Sequence, residues 1–348
     1  MNSTTGLKNK NLFRKDTPLY VTMILVLVSS IVVYSLFPHP VEGKKVAVIS
    51  QTADCTPEVD VLRSRDYRLT HRILLADMRN ENPKLASIKQ RITQTISEDK
   101  FSNVASNVSV YFRNLNDGSW FEVNGASTYN PASLLKVTFL IAILKQAEKN
   151  PGLLDKQIYF DKHYEKVYNQ NIKAFTLEEK RNYTIKELLY DMIVYSDNDA
   201  LILVSNQTDS VTYDKLFLDL GMTPPSHSPH PNEYVMSVMD FCKFFRVLYN
   251  SAYLKDEYSE FALELLTKST YKDGLVKNIT GDFPIAHKFG ERIIANSNVQ
   301  ELHEVGIFYV DHKPYLLGVM TTGHDLKELS AVLSRISEIV YRESGNFN

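Results

Sequence analysis

Apolar positions along this chain fall into two periods. Leu85, Ile88, Ile92 and Ile96 recur at helical spacing, so Pro83 to about Glu98 predicts an amphipathic helix. Leu134, Leu135, Val137, Phe139, Leu140, Ile141, Ile143 and Leu144 leave almost no polar face, which marks a buried helix. Ile185–Val194 is amphipathic with Thr184 as its cap; further helices are expected over Asn198–Val204, Ser237–Leu248 and Leu326 to about Tyr341. Val108–Arg113 and Trp120–Val123 flank Asn116-Asp117-Gly118 and predict a β-hairpin. Ala286–Gly290 predicts a short strand ended by its glycine. Glu304–Val310 and Tyr315–Met320 predict its partners, joined by the turn Asp311-His312-Lys313-Pro314. The fold class is α+β.

The N-terminal run Leu19–Phe37 has no charged residue and is long enough to span a bilayer. Lys8, Lys10, Arg14 and Lys15 precede it, which favours a cytoplasmic N-terminus. A cleaved signal peptide is the alternative. No small-x-small site follows, only Phe37-Pro38-His39-Pro40 and then Lys44-Lys45. The expected organisation is a cytoplasmic tail (1–18), a transmembrane anchor (19–37), a tether with little periodicity (38–82) and an extracytoplasmic domain (83–348).

Three short motifs bear on chemistry. The first is Ser133-Leu134-Leu135-Lys136 at the mouth of the buried helix, with Pro131 suited to its start. Positions i and i+3 share a helix face, so the Lys136 amine can reach the Ser133 hydroxyl. A serine needs such a base to become a nucleophile, and a lysine serves only if burial or a second cation lowers its pKa. The pattern recurs at Ser97–Lys100 and Ser269–Lys272, both expected at the solvated surface. The second motif, Ser196-Asp197-Asn198, lies in a tight turn between two helices, where such residues also occur as plain turn formers. The third is His287-Lys288-Phe289-Gly290 on a late strand.

In this order and context, the three motifs resemble those of the class A β-lactamases and low-molecular-weight D,D-peptidases, over about Asn107 to Ser344. The resemblance implies an antiparallel sheet flanked by the terminal helices beside an all-helical lobe, with Ser133 at the floor of the cleft between them. It implies Ser133 as nucleophile, Lys136 as base, and Ser196 with Lys288 relaying a proton to the leaving nitrogen. Asn198 would bind the substrate amide and Asp197 would brace the turn. The backbone N–H of Glu291, just past Gly290, would join that of Ser133 as oxyanion donor. The expected substrates are a β-lactam or a D-Ala-D-Ala peptide. The alternatives are a D,D-carboxypeptidase or transpeptidase on peptidoglycan, and a non-hydrolytic β-lactam or muropeptide receptor.

Two departures stand out. The hydroxyl that the family places between Lys and Gly is Phe289, which cannot hydrogen-bond a carboxylate; His303 and Arg292 are candidates for that role. The stretch Thr223–Glu233 is short and proline-rich, without the Glu-x-x-x-Asn arrangement that holds a water for deacylation. Glu233 is its only carboxylate and is expected near the first turn of the next helix.

Composition excludes more than it assigns. The net charge is −2, so no nucleic acid or other polyanion is indicated. No phosphate loop or metal-ligand spacing occurs, the nine histidines are scattered, and no cofactor is expected. Cys242 falls in an apolar helix and Cys55 in the tether; the sequence leaves their pairing open.

Overall fold

The computed structural model describes residues 59–343 apart from 65, 165–170, 173–174, 230–232 and 295–296. The expected tail and anchor, and Cys55, lie outside the described residues. Among the described residues no helix is long and apolar enough to cross a membrane.

The described part of the expected tether is structured. β1 (Val59–Arg63) and β2 (Ile73–Met78) form an antiparallel ribbon. Only Leu74 and Leu75 of β2 are buried, while Val59, Val61, Ile73 and Met78 are exposed, so no period-2 pattern announces it. Asp77 fastens the ribbon to the domain by accepting from the buried Arg113 at 2.8 Å and the buried Arg246 at 2.6 Å.

The first helix, α1 (Ala86–Ser97), buries Ile88 and Ile92 as its spacing requires. β3 (Ala105–Asn114) and β4 (Trp120–Val123) form the expected hairpin, with Gly118 at φ 76° in the turn. Next come the buried helix α2 (Lys136–Ala147) and a small ribbon, β5 (Gln157–Phe160) with β6 (Arg181–Thr184). The helical lobe continues with α3 (Ile185–Val194), α4 (Asn198–Ser205), α5 (Ser210–Asp219), α6 (Val238–Tyr249) and α7 (Asp256–Thr267). Thr184 and Glu187 close a capping box at the start of α3, and Ser237 caps α6.

The chain returns to the sheet with β7 (Ile285–Ile293), β8 (Gln300–Phe308) and β9 (Tyr315–Gly323), and ends in α8 (Leu326–Glu343). The strand order is β4-β3-β9-β8-β7, antiparallel throughout. β7 does not stop at Gly290. Its pairing with β8 continues through Glu291↔Leu302 to Ile293↔Gln300, because the polar residues after the glycine still have a ladder to complete. α1 and α8 cover one sheet face with a core of Ile92, Phe112, Leu302, Leu317 and Leu333. α6 and the helical lobe cover the other; a Cβ at Gly318 would stand 2.6 Å from Cys242 Sγ, so β9 admits α6 only through that glycine. Cys242 is a free thiol, fully buried.

The candidate active site

The site forms where α2 begins, the α3–α4 turn folds back and β7 runs alongside. A short 3-10 turn, Ala132–Leu135, leads into α2. Ala132 sits at φ 49°, its N–H held by Asn130 Oδ1 at 2.9 Å. Ser133 is thus presented on a sharp turn at the head of an apolar helix, with Lys136 as that helix's first residue.

Lys136 has no exposed surface. Its Nζ lies 2.9 Å from Ser133 Oγ, 3.1 Å from Ser196 Oγ, 2.6 Å from the Ser196 carbonyl and 2.7 Å from Asn198 Oδ1. Burial pulls its pKa down to about 7, against the pull of Asp197 and Glu291 towards the charged form. The amine can therefore be free near neutral pH, which a base requires.

Ser196 lies between two lysines. Lys288 Nζ donates to its Oγ at 2.8 Å and to the Phe289 carbonyl at 2.9 Å. Lys288 is likewise fully buried. Desolvation first, and Lys136 second, hold its pKa well below the usual lysine value. Ser196 adopts φ 59°, a left-handed backbone that costs a non-glycine residue roughly 1–3 kcal/mol. Asp197 holds the turn as the cap of α4, accepting from the Ala200 N–H at 2.7 Å, so it braces the turn as expected from the motif. Asn198 Oδ1 is engaged by Lys136, a role the motif alone does not reveal.

Gly290 explains itself by distance. A Cβ there would lie 2.7 Å from the Pro131 carbonyl oxygen and 2.9 Å from the Leu134 nitrogen. Only glycine lets β7 run this close to the Ser133 turn. Glu291 follows, and its side chain reaches away from the strand: Oε1 accepts from the Asn171 and Ile172 N–H groups at 2.8 and 2.6 Å.

Several expectations need correction. His303 is not placed to bind substrate. It is fully buried, its Nε2 donates to the Asn130 carbonyl at 3.0 Å and its Nδ1 accepts from the Thr321 N–H at 3.1 Å. Burial lowers its pKa to about 4, so it supports the Ser133 turn as a neutral ring. Arg292 faces Glu301 at 3.9 Å. Phe289 is buried and stacked on Tyr271, ring centroids 4.3 Å apart. Glu233 is exposed and lies before the cap residue Ser237; Asp240, not Glu233, supplies the acid in the first turn of α6. The copy of Ser-x-x-Lys at Ser97 is exposed, but Ser269 is buried just beyond α7 while its Lys272 is exposed, so that pair does not meet at a surface. A buried pair that the sequence did not flag, His287 Nδ1 with Glu304 Oε1 at 2.6 Å, braces β7 beside Lys288.

A serine at a helix mouth, a buried amine on its hydroxyl and a second serine between two lysines are the groups that a nucleophilic serine requires around it. Residues 87–344 match the beta-lactamase enzyme family, and the chain belongs to that family. It is a serine hydrolase of the β-lactamase or penicillin-binding type. Among solved structures, a point variant of PBP-A in acyl-enzyme complex with penicillin G matches with a TM-score of 0.62 at 18% identity, covering 76% of this chain and 98% of that one. A beta-lactamase from Chitinophaga pinensis matches with a TM-score of 0.62 at 17% identity, covering 74% and 99%. A class A representative from Bacteroides cellulosilyticus matches with a TM-score of 0.62 at 18% identity, covering 77% and 100%. At these identities the likeness concerns the fold. No curated protein matches the chain.

Proposed function

We propose that this protein is a membrane-anchored acyl hydrolase that opens a β-lactam, or cleaves a D-alanyl amide, in the extracytoplasmic compartment. The observation that carries the reading is the buried Lys136 amine 2.9 Å from Ser133 Oγ. Lys136 takes the Ser133 proton as Oγ attacks the acyl carbon. The N–H groups of Ser133 and Glu291 stabilise the oxyanion, a contribution worth on the order of a hundredfold or more per donor. The proton passes through Ser196, held by Lys288, to the departing nitrogen. The C–N bond breaks, and the acyl group stays on Ser133 as an ester. The charge-free run 19–37 and its basic flank support the anchor.

The exposure of Glu233, ahead of the α6 cap, supports the D,D-peptidase alternative. Hydrolysing the ester requires a base that holds water, and Glu233 is exposed, before the α6 cap. The test is mass mapping after treatment with a fluorescent penicillin, on a chain beginning near Val46. A single adduct on Ser133, absent from Ser133→Ala, is expected. Label on Ser97 or Ser269, or undiminished label in Ser133→Ala, would overturn the assignment.

A further inference from the structure

A second cavity is enclosed by β2, the β3–β4 turn and the end of α6. It holds about 430 Å³, and none of Ser133, Lys136, Ser196 and Lys288 lines it. Arg72, Arg113 and Arg246 form its polar wall; Ile73, Leu74 and Leu115 belong to its apolar one. No acidic side chain lines it among the described residues.

The charges behind this wall do not balance. Arg246 is 2% exposed and Arg113 7%. Both reach the same carboxylate oxygen, Asp77 Oδ1, at 2.6 and 2.8 Å. Both also donate to the same carbonyl, that of Ala76, at 3.2 and 2.8 Å. Two cations against one carboxylate leave one positive charge without a counterion. An enclosed charge of that kind is costly unless an anion reaches it. Arg246 makes these contacts through Nη2, and its Nε and Nη1 donate no hydrogen bond among the described residues. Arg72 adds a third cation at the exposed rim, where Nη1 touches the Ala252 carbonyl at 3.5 Å. The carbonyls that end α6 do not oppose an anion here. Those of Arg246, Val247 and Leu248 accept from the N–H groups of Asn250, Ala252 and Ser251.

We propose that this cavity binds a carboxylate carried on a short apolar chain, as in a short fatty acid or an acylated amino acid. The single unmatched charge suits a monoanion. The guanidinium fork suits the two coplanar oxygens of a carboxylate. Ile73, Leu74 and Leu115 would receive the hydrocarbon, which an inorganic anion does not supply. The site shares no residue with the acyl-hydrolase centre, so it stands or falls independently of that reading.

The test is isothermal titration calorimetry on the full-length chain with hexanoate, N-acetylleucine, hexanamide and inorganic phosphate. At least one of the two carboxylates should bind, and the tighter of them names the source, fatty acid or acylated amino acid. Hexanamide keeps the chain and loses the charge; phosphate keeps the charge and loses the chain. Each should bind at least about tenfold more weakly than the better carboxylate. Arg72 is exposed, so its variants should fold, with circular dichroism as the control. Arg72→Gln should weaken the carboxylate by about fivefold, and Arg72→Glu should abolish its binding. Asp77→Asn removes the competing carboxylate and should tighten binding by about fivefold, which a merely structural ion pair would not do. Carboxylates that bind no better than hexanamide, or no better than phosphate, overturn the proposal. So does an affinity unchanged in Arg72→Glu or in Asp77→Asn.

Discussion

Gly290 and Leu134 meet backbone to backbone, close enough that a single added carbon at position 290 would stand 2.9 Å from the Leu134 nitrogen. The Pro131 carbonyl oxygen would stand at 2.7 Å from the same carbon, and both neighbours are backbone, so the strain cannot be relieved by turning a flexible side chain. Gly290→Ala should therefore push β7 away from the Ser133 turn. A displacement near 1 Å at a reacting centre costs on the order of a hundredfold in rate, so penicillin acylation should fall by about that much in a folded protein. Stopped-flow labelling with circular dichroism as the folding control decides it; an unchanged rate would remove Gly290 from the site's geometry.

Acylation should follow the free-amine form of Lys136. Burial holds its pKa at about 7, so the rate should be at its plateau above that value and be lost as pH falls through it. At pH 5 the free amine is about a hundredfold scarcer than at the plateau. Glu291→Gln removes a charge that favours the ammonium form, so its acid limb should move to lower pH. A limb that moves upward in that variant would contradict the assignment of Lys136 as base.

Turnover of penicillin should show a burst and then a slow phase. General-base assistance is typically worth about a hundred- to ten-thousandfold, and the exposed Glu233 does not supply it. Glu233→Gln should leave both phases unchanged. Fast turnover without a burst, abolished by that substitution, would make Glu233 the deacylating base.

His303 should make the fold acid-sensitive. Its pKa is lowered from 6.5 to about 4, so the unfolded chain binds this proton first. The stability contributed by the neutral ring is complete above pH 6.5 and is lost as pH falls from there towards 4, by roughly 3 kcal/mol at most. His303→Gln should show a shallower decline in urea midpoint over that interval, and an equal decline would exclude His303 as the source.

Asp77 should matter for stability and not for catalysis. Its carboxylate is shared by Arg113 and Arg246, both nearly enclosed. Breaking a buried pair costs several kcal/mol; because Asp77 is partly exposed, Asp77→Ala should cost a smaller amount, roughly 2 kcal/mol in urea unfolding. The acylation rate of the folded variant should equal that of the parent chain.

The reacting groups were legible because their chemistry depends on local spacing. Ser133 and Lys136 are one helical turn apart, and Ser196 follows an unmistakable amphipathic helix. The cross-chain roles were not legible. His303 stands 173 residues from Asn130, and nothing near it in sequence says that its ring is enclosed. Glu291 reads as an ordinary strand carboxylate until Asn171 and Ile172 are brought to it. The ribbon before Pro83 escaped because Leu74 and Leu75 are neighbours, a pair with no period. The groups that hold the ribbon at Ala76 and Asp77 are Arg246 and Arg113, which lie far along the chain.

The arrangement in which Ser196 Oγ accepts from both Lys136 and Lys288 has a consequence for proton conservation. With both acceptor directions of that oxygen taken by ammonium or amine hydrogens, its own hydrogen must point elsewhere, towards the departing atom. Two amines joined through one hydroxyl titrate as a unit and not as separate groups. The hydrogen that leaves Ser133 can be repaid to the leaving group from within this unit. Acyl transfer then completes with no net exchange of protons with the surrounding solvent, and buffer species should not enter its rate law.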